Sequence, residues 1–455
     1  MNIKIGDLYK GYVIDFTHEG NGVIKIDNFP IFIEDVIVGD YVEFKVIDNK
    51  KSYALGEALN ILEYSNDREQ YHFNSDSLGG GVPLLNYKYE KQLQWKEKKV
   101  EQDIQRIGGI TIKAEPIIGM KYPFRYRNHT QIPVGKVKEK AVTGYYKKKT
   151  NTIVPLEEDY LQPEIADTIL KTIRDWIDEY NIPVYNRYEK TGVIKHIGIR
   201  TNENNEAMLI IVTAFSMVPN KYELIHRLVK ECPGIVSIYQ NINQMDGKFT
   251  YGREYIHLFG QEYLRDYIGN LQFDISPQSF FQVNRIQTKV LYEKAREYLQ
   301  PNSEDIVFDI YSGIGTISMF ISDSVKKVIG IESVESAVED ARINAKKNNI
   351  SNAEFKLGKA ENLIFELITE FKANKVILDP PRKGCEKEVL EELLKLKPER
   401  IVYISCNPST LARDIKILTK DYYKVTKVQP VDMFPHTAHV ESIILMTYCG
   451  SKGKK

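Results

Sequence analysis

The order of apolar and polar positions divides the chain into four stretches. Over residues 1–60 the runs KGYVIDF, GVIKI, PIFI, DYVEFKVI and SYALGEAL alternate apolar with polar positions and are separated by Gly, Asp and Asn turns. A period of two is the strand pattern, and five such runs predict a small OB-like β-barrel. Residues 61–107 begin polar and glycine-rich, through Leu78-Gly79-Gly80-Gly81, as a linker does. From Tyr87 to Ile107, Leu93, Val100, Ile104 and Ile107 recur amid charges, which predicts an amphipathic helix. Residues 108–272 mix the two periods: EIADTILKTIRDWIDEY and ELIHRLVKEC read as helices, VIKHIGIRTN, AMLIIVTAF and IVSIYQNI as strands. This is an α+β middle domain. From 273 to 455 strands and helices alternate: IVFDIY, KVIGIE, AEFKLG, KVILDP and RIVYISC, with helices such as SAVEDARINAKKNN and EVLEELLKL between them. That alternation predicts an α/β, Rossmann-like domain whose ligands lie at the strand C-termini.

Composition adds little to this picture and charge adds one feature. The 455 residues hold 62 basic and 62 acidic side chains, so the net charge is zero. The charges are not evenly mixed. Between Leu85 and Thr150 there are 16 lysines and arginines against 6 acids, interleaved with Tyr122, Phe124, Tyr126, Tyr145 and Tyr146. Basic groups neutralise phosphates and exposed aromatics stack unpaired bases; a merely solvated lysine-rich face is the competing explanation. No apolar run reaches the roughly 20 residues of a membrane span, and the N-terminal MNIKIGDLYKG lacks the order of a signal peptide. The expected compartment is the cytoplasm. The four cysteines, Cys232, Cys385, Cys406 and Cys449, include no CxxC pair, so neither a disulfide framework nor a metal site is expected.

The first strand of the C-terminal domain ends in Asp309-Ile310-Tyr311-Ser312-Gly313-Ile314-Gly315-Thr316, and a helix pattern comes next. Gly313 and Gly315 allow a sharp turn and close approach of a ligand. The next strand ends at Glu332, whose carboxylate can take the hydroxyls of a ribose. A dinucleotide would need a third glycine to cradle its pyrophosphate, and that position is Ser318. S-adenosylmethionine carries no phosphate, so the loop favours the methyl donor over a nicotinamide.

The fourth strand delivers Asp379 ahead of Pro380-Pro381-Arg382, and the fifth delivers Cys406 ahead of Asn407-Pro408-Ser409-Thr410. Asp379 can accept a hydrogen bond from a base N–H. Cys232, Cys385 and Cys449 read as small apolar fillers; Cys406 occupies a site position. A thiol beside a methyl donor suits methylation of uracil carbon 5, a poor nucleophile until a thiolate adds to carbon 6. A base must then remove the carbon 5 proton so that the thiolate can leave, and the target nucleotide must be flipped out of its stack. His436, His439 and Glu441, in Met433-Phe434-Pro435-His436-Thr437-Ala438-His439-Val440-Glu441, are the candidate bases.

With these residues in place, the chain resembles the uracil-5 RNA methyltransferase family, in particular the TRAM-containing branch acting on 23S rRNA. The resemblance covers nearly the whole length. It rests on Ser279-Phe280-Phe281-Gln282-Val283-Asn284, then DIYSGIGT, ILDPPRKG, YISCNPSTLARD and DMFPHTAHVE, with Tyr126-Arg127-Asn128 similar to a middle-domain signature. It implies a class I methyltransferase domain at 273–455, a TRAM-like RNA-binding barrel at 1–60 and an RNA-binding middle domain. It implies Cys406 as nucleophile and Glu441 as proton acceptor. Gln282, Tyr311, Glu332 and Asp379 would contact S-adenosylmethionine, with Thr316 and Glu361 as further contacts. Phe280 would shape the uracil pocket and Arg127 would contact RNA.

One departure stands out. Many family members hold a [4Fe–4S] cluster on four cysteines, but here the corresponding stretch is Leu78-Gly79-Gly80-Gly81, the upstream positions lie around Tyr71, and the fourth position is Tyr160. Without thiolates no cluster is expected, and packing alone must fold that loop. The expected activity is methylation of a uridine in 23S rRNA by a monomer; the alternatives are the same chemistry on tRNA and a catalytically silent RNA-binding protein.

Overall fold

Six short strands build the N-terminal region: β1 (Leu8–Tyr12), β2 (Asp15–Phe16), β3 (Gly22–Ile26), β4 (Phe29–Ile33), β5 (Tyr41–Asn49) and β6 (Ala54–Glu63). The computed structural model describes the chain apart from residues 1–2, 72–80, 148–149, 246, 248, 421 and 451–455. The sheet order is β1-β5-β6-β4-β3-β2. Every second residue of β5 (Val42, Phe44 and Val46) is buried with Ile24, Ile31 and Ile33, so the alternation read from the sequence is the inward face of a curled sheet. The last strand runs to Glu63, a little beyond the expected limit at 60.

Helix α1 (Tyr89–Arg106) comes after the linker. Its buried stripe is Gln92, Lys96, Val100 and Ile104, spaced four apart, and Ile107 is exposed. Val100 and Ile104 join the core of the C-terminal domain, not a core of the linker's own.

The middle domain is a seven-stranded sheet made of β7 (His129–Val137), β8 (Lys140–Tyr146), β9 (Ile153–Pro155), β10 (Ile194–Thr201), β11 (Ala207–Thr213), β12 (Ile235–Ile242) and β13 (Glu254–Gly260), ordered β13-β12-β11-β10-β7-β8-β9. Helices α2 (Glu164–Glu179) and α3 (Lys221–Glu231) cover one face, burying Trp176, Ile177, Leu224 and Leu228 against Ile197, Ile199, Leu209 and Ile211. The hairpin β14 (Leu264–Ile268) and β15 (Leu271–Ile275) is next. The boundary expected at 272/273 falls inside β15. Ile268, Phe273 and Ile275 are buried in the core of the C-terminal domain, while Leu264 is buried against Met208, Ile210 and Val212 of the middle sheet, so the hairpin bridges the two domains.

The C-terminal sheet contains β16 (Ile306–Ile310), β17 (Lys327–Glu332), β18 (Ala353–Leu357), β19 (Lys375–Leu378), β20 (Arg400–Ser405), β21 (Tyr423–Val431) and β22 (Glu441–Tyr448) in the order β18-β17-β16-β19-β20-β22-β21. All neighbours are parallel except β22, which is antiparallel to β20 and β21. Both faces are buried, as a parallel sheet requires. Val307, Val328, Ile377, Val402 and Ile443 face α4 (Arg285–Leu299), α5 (Thr316–Ile321) and α6 (Glu335–Lys347). Phe308, Ile329, Val376, Ile401 and Ile444 face α7 (Ala360–Glu370), α8 (Lys387–Leu396) and α9 (Pro408–Leu418). Because β22 runs backwards, its first residue, Glu441, lies at the edge where the parallel strands end.

Candidate active site

That edge opens into a cavity of about 960 Å³. Of the residues singled out in the sequence, Arg127, Phe280, Gln282, Tyr311, Gly313, Thr316, Glu332, Glu361, Asp379, Cys406 and Glu441 all line it. Gly315 lies behind the wall: its φ is +76°, and a Cβ there would come within 2.5 Å of Phe355. Tyr311 (φ +72°) and Gly313 (φ +56°) share the left-handed region, so the loop leaves β16 in a tight turn. Gly313 N–H donates to Glu332 Oε2 over 3.0 Å, which ties the glycine loop to the end of the second strand. Glu332 Oε1 accepts from the N–H groups of Ser333 and Val334 at 2.7 and 2.8 Å.

Beneath the loop, Asp309 is buried and accepts from Ser318 Oγ at 2.5 Å, while its other oxygen has no partner among the described residues. Burial, with Glu332 nearby, pushes this carboxyl up to about 6. Asp379 sits just past β19, with its N–H held by Ile310 O at 3.3 Å. Burial and then the charge of Asp309 raise it to about 7. Glu441 is buried, and its Oε2 has no hydrogen-bond partner among the described residues. Burial first, then Asp379, raise it to about 8, and Arg382 opposes them.

Cys406 is half-buried at the turn from β20 into α9. The turn is fixed by its neighbours: Asn407 caps α9 by accepting from Ser409 N–H at 3.1 Å, and Pro408 occupies the first helical turn. Asn407 Nδ2 and Thr410 Oγ1 both donate to Arg382 O, at 3.1 and 3.2 Å, which joins this turn to the Asp379-Pro380-Pro381 loop. Burial and the Glu441 carboxylate raise the thiol to about 11, and the Arg382 guanidinium pulls it back down. The other cysteines take no part: Cys232 and Cys385 are buried, Cys449 is exposed, and none of the three lines the cavity.

The two histidines separate. His436 is buried outside the cavity, stacked on Phe124 at 4.5 Å and facing Gln92, and burial lowers it to about 3. His439 lines the cavity, lies 2.9 Å from Arg382 Nη2, and is lowered to about 4 by burial and that cation. Arg382 itself was missed in the sequence; its one signal there is adjacency to the Asp-Pro-Pro turn. Also unforeseen is the clamp on the 432–436 loop. Lys96 Nζ lies 2.6 Å from Asp432 Oδ1 and donates to Phe434 O at 3.0 Å. Tyr89 OH donates to Asp432 Oδ2 at 2.8 Å, and Tyr126 OH donates to Pro435 O at 3.0 Å.

The basic, aromatic stretch is corrected by these contacts. Lys96 is fully buried in an ion pair, so it cannot neutralise a phosphate. Tyr126 is buried with Met120 and Leu161, Phe124 and Tyr145 pack against them, and only Tyr122 of the five aromatics is largely exposed. At the positions matched to cluster cysteines, Tyr71 meets Phe124 edge-on at 5.5 Å and the Tyr160 ring lies 5.1 Å from the Arg125 guanidinium. Leu78, Gly79 and Gly80 lie outside the described residues. Among the described residues no group of three or more His, Cys, Asp or Glu is arranged to hold a metal ion.

The strand order, the glycine loop and the acid ending β17 together define a Rossmann-like, S-adenosylmethionine-dependent methyltransferase fold. Glu441 Oε2, buried without a partner among the described residues at the cavity wall, fits a polar ligand there. Comparison with known proteins carries this further. Residues 247–448 match the model of the family described as tRNA (uracil-5-)-methyltransferase. An uncharacterized RNA methyltransferase of Clostridium tetani is 44% identical over 99% of both chains, and one of Clostridium acetobutylicum is 42% identical over 98% of both. The crystal structure of Pyrococcus abyssi tRNA (uracil-54, C5)-methyltransferase in complex with S-adenosyl-L-homocysteine superposes with a TM-score of 0.77 at 26% identity, covering 96% of this chain and 100% of that one. The chain belongs to the RNA uracil-5 methyltransferase family, whose members are S-adenosylmethionine-dependent.

Proposed function

We propose that this chain methylates carbon 5 of a uridine in 23S rRNA, with Cys406 as covalent nucleophile and Glu441 as proton acceptor. The observation that carries the reading is the unpartnered, buried Oε2 of Glu441, which shares a cavity wall with Cys406 and Asp379. A buried acceptor left unsatisfied is costly, and a flipped uracil supplies the missing proton.

S-adenosylmethionine, when bound, supplies an electrophilic methyl group on a positively charged sulfur. Tyr311, Gly313, Glu332 and Gln282 would hold it, and Thr316 and Glu361 line the same part of the cavity. The chain's own residues do the rest. Phe280, 67% exposed at the rim, would stack on the base, and Arg127 would meet a phosphate. Cys406 thiolate adds to carbon 6, forming a C–S bond and sending the ring electrons to carbon 5. Carbon 5 takes the methyl. Glu441 carboxylate then removes the carbon 5 proton, the carbon 5–carbon 6 double bond re-forms, and the C–S pair returns to Cys406. Arg382, beside the thiol, favours its anion.

The N-terminal sheet and the middle domain would extend the RNA-binding surface, and a monomer acting in the cytoplasm is sufficient for the chemistry. No helix among the described residues is long and apolar enough to cross a membrane. The choice of 23S rRNA comes from the motif resemblance. A second reading, tRNA, is favoured by the likeness to the Pyrococcus abyssi tRNA enzyme. Mass-spectrometric mapping of 5-methyluridine in rRNA and tRNA, from cells with and without this chain, separates the two: loss of a 23S rRNA site is expected, and loss confined to tRNA overturns that target.

A further inference from the structure

Three carboxyl groups stand in a row along the sheet edge: Asp309 on β16, Asp379 after β19 and Glu441 at the start of β22, with Cys406 after β20 between the last two. β16 and β19 are neighbours, about 4.8 Å apart, and β19 and β22 flank β20, so Asp309 bears on Asp379 and Asp379 on Glu441. Asp309 Oδ1 and Glu441 Oε2 are buried without hydrogen-bond partners among the described residues. The other groups around them are Glu332 on β17, Tyr292 on α4, Ser318 on α5, Tyr311 after β16, Cys406, and His439 before β22. Arg382 and Arg127 are the nearby cations on the wall; Arg382 contacts His439, lies beside Cys406, and is the one that bears on Glu441. Lys359 and Lys383 are exposed at the rim. The row is therefore short of positive charge.

Buried carboxylates without a counter-charge take up protons. On the proposed mechanism the methyl donor would present its sulfur toward the carbon next to the one Cys406 attacks, in the part of the cavity that Asp379 and Glu441 line with Cys406. We infer that this carboxyl row reads the charge on the cofactor's sulfur, binding the cationic methyl donor with its carboxyls ionised and the neutral demethylated product with them protonated. The inference rests on the proposed placement of the uracil at Cys406.

For the reaction this has two consequences. Arrival of the donor releases a proton and leaves Glu441 as the carboxylate that a base must be. Transfer breaks the sulfur–methyl bond, the electron pair returns to sulfur, and the positive charge disappears. The proton affinity of Glu441 then recovers at the moment the carbon 5 proton must be taken, and the spent cofactor has lost the attraction that held it.

The test uses the full chain without RNA and isothermal titration with S-adenosylmethionine and S-adenosylhomocysteine, which have the same ionisable groups and differ by the methyl and the fixed positive charge at sulfur. From about pH 6 to about pH 9, affinity for the methyl donor should rise relative to the product by up to about tenfold per pH unit for each proton released. In buffers of differing ionisation enthalpy the donor should release protons and the product none. The Asp379→Asn, Glu441→Gln double variant should make the ratio of affinities independent of pH. Parallel pH curves for the two ligands in the wild-type chain overturn the inference, whether or not the double variant folds, and so does a ratio unchanged in a folded double variant. Because no RNA is present, failure here leaves the RNA target and the covalent step to be judged by the mapping and the adduct.

Discussion

Lys96 and Asp432 form a fully buried ion pair, 2.6 Å apart, between the linker helix and the loop that leads to Glu441. Removing one partner of such a pair strands the other charge, at a cost of about 3–5 kcal/mol. Lys96→Met should therefore lower the thermal midpoint sharply, and the Lys96→Met, Asp432→Asn double variant should recover much of the loss. A single variant as stable as the wild type in calorimetry would show that the pair contributes nothing.

Gly315 combines a φ of +76° with a Cβ position 2.5 Å from Phe355. A Gly315→Ala side chain must adopt the left-handed region, costing about 1–2 kcal/mol, and must displace a buried ring, costing about 1–3 kcal/mol more. The expected result is a lower melting temperature together with weaker S-adenosylmethionine binding by calorimetry, since the strain falls on the cofactor loop. Gly313 has no atom within 4 Å of its Cβ position, so Gly313→Ala should incur only the backbone part.

Arg382 lowers the proton affinity of Cys406 against the raising effects of burial and Glu441. That fixes the sign of its removal. Arg382→Met raises the thiol pKa further, so less thiolate is present at neutral pH, and the rising limb of the pH–rate profile moves to higher pH. Arg382→Lys should restore part of the shift. A profile unchanged in position, with only its height reduced, would mean that Arg382 acts on RNA binding alone.

The parts of this site that were legible in the sequence lie at strand ends. Asp309 to Gly315, Glu332, Asp379 and Cys406 each close or succeed an apolar run of strand length, and a parallel sheet gathers such ends at one edge. Glu441 was open to competition from two histidines until the resemblance favoured it, because local pattern does not say which of His436, His439 and Glu441 turns inward. The structure sends His436 behind the wall, against Phe124 and Gln92. Lys96 falls in the basic stretch for which phosphate neutralisation and a solvated face were the two explanations, yet it occupies the four-residue stripe of Gln92, Val100 and Ile104. Its partner lies 336 positions away, beyond the reach of any local periodicity. The same holds for the β14–β15 hairpin, whose apolar residues alternate identically whichever domain they join, and for Tyr126, whose hydroxyl finds Pro435 O across the domain boundary.

In the proposed mechanism Cys406 carries the base and Glu441 releases it. The most direct measurement is intact-mass analysis and denaturing electrophoresis of Glu441→Gln incubated with substrate RNA and S-adenosylmethionine. With proton removal blocked, a methylated adduct should accumulate on Cys406, survive denaturation, and disappear in the Cys406→Ala, Glu441→Gln double variant. Release of free 5-methyluridine RNA from Glu441→Gln at the wild-type rate, with no adduct, would contradict both residue roles.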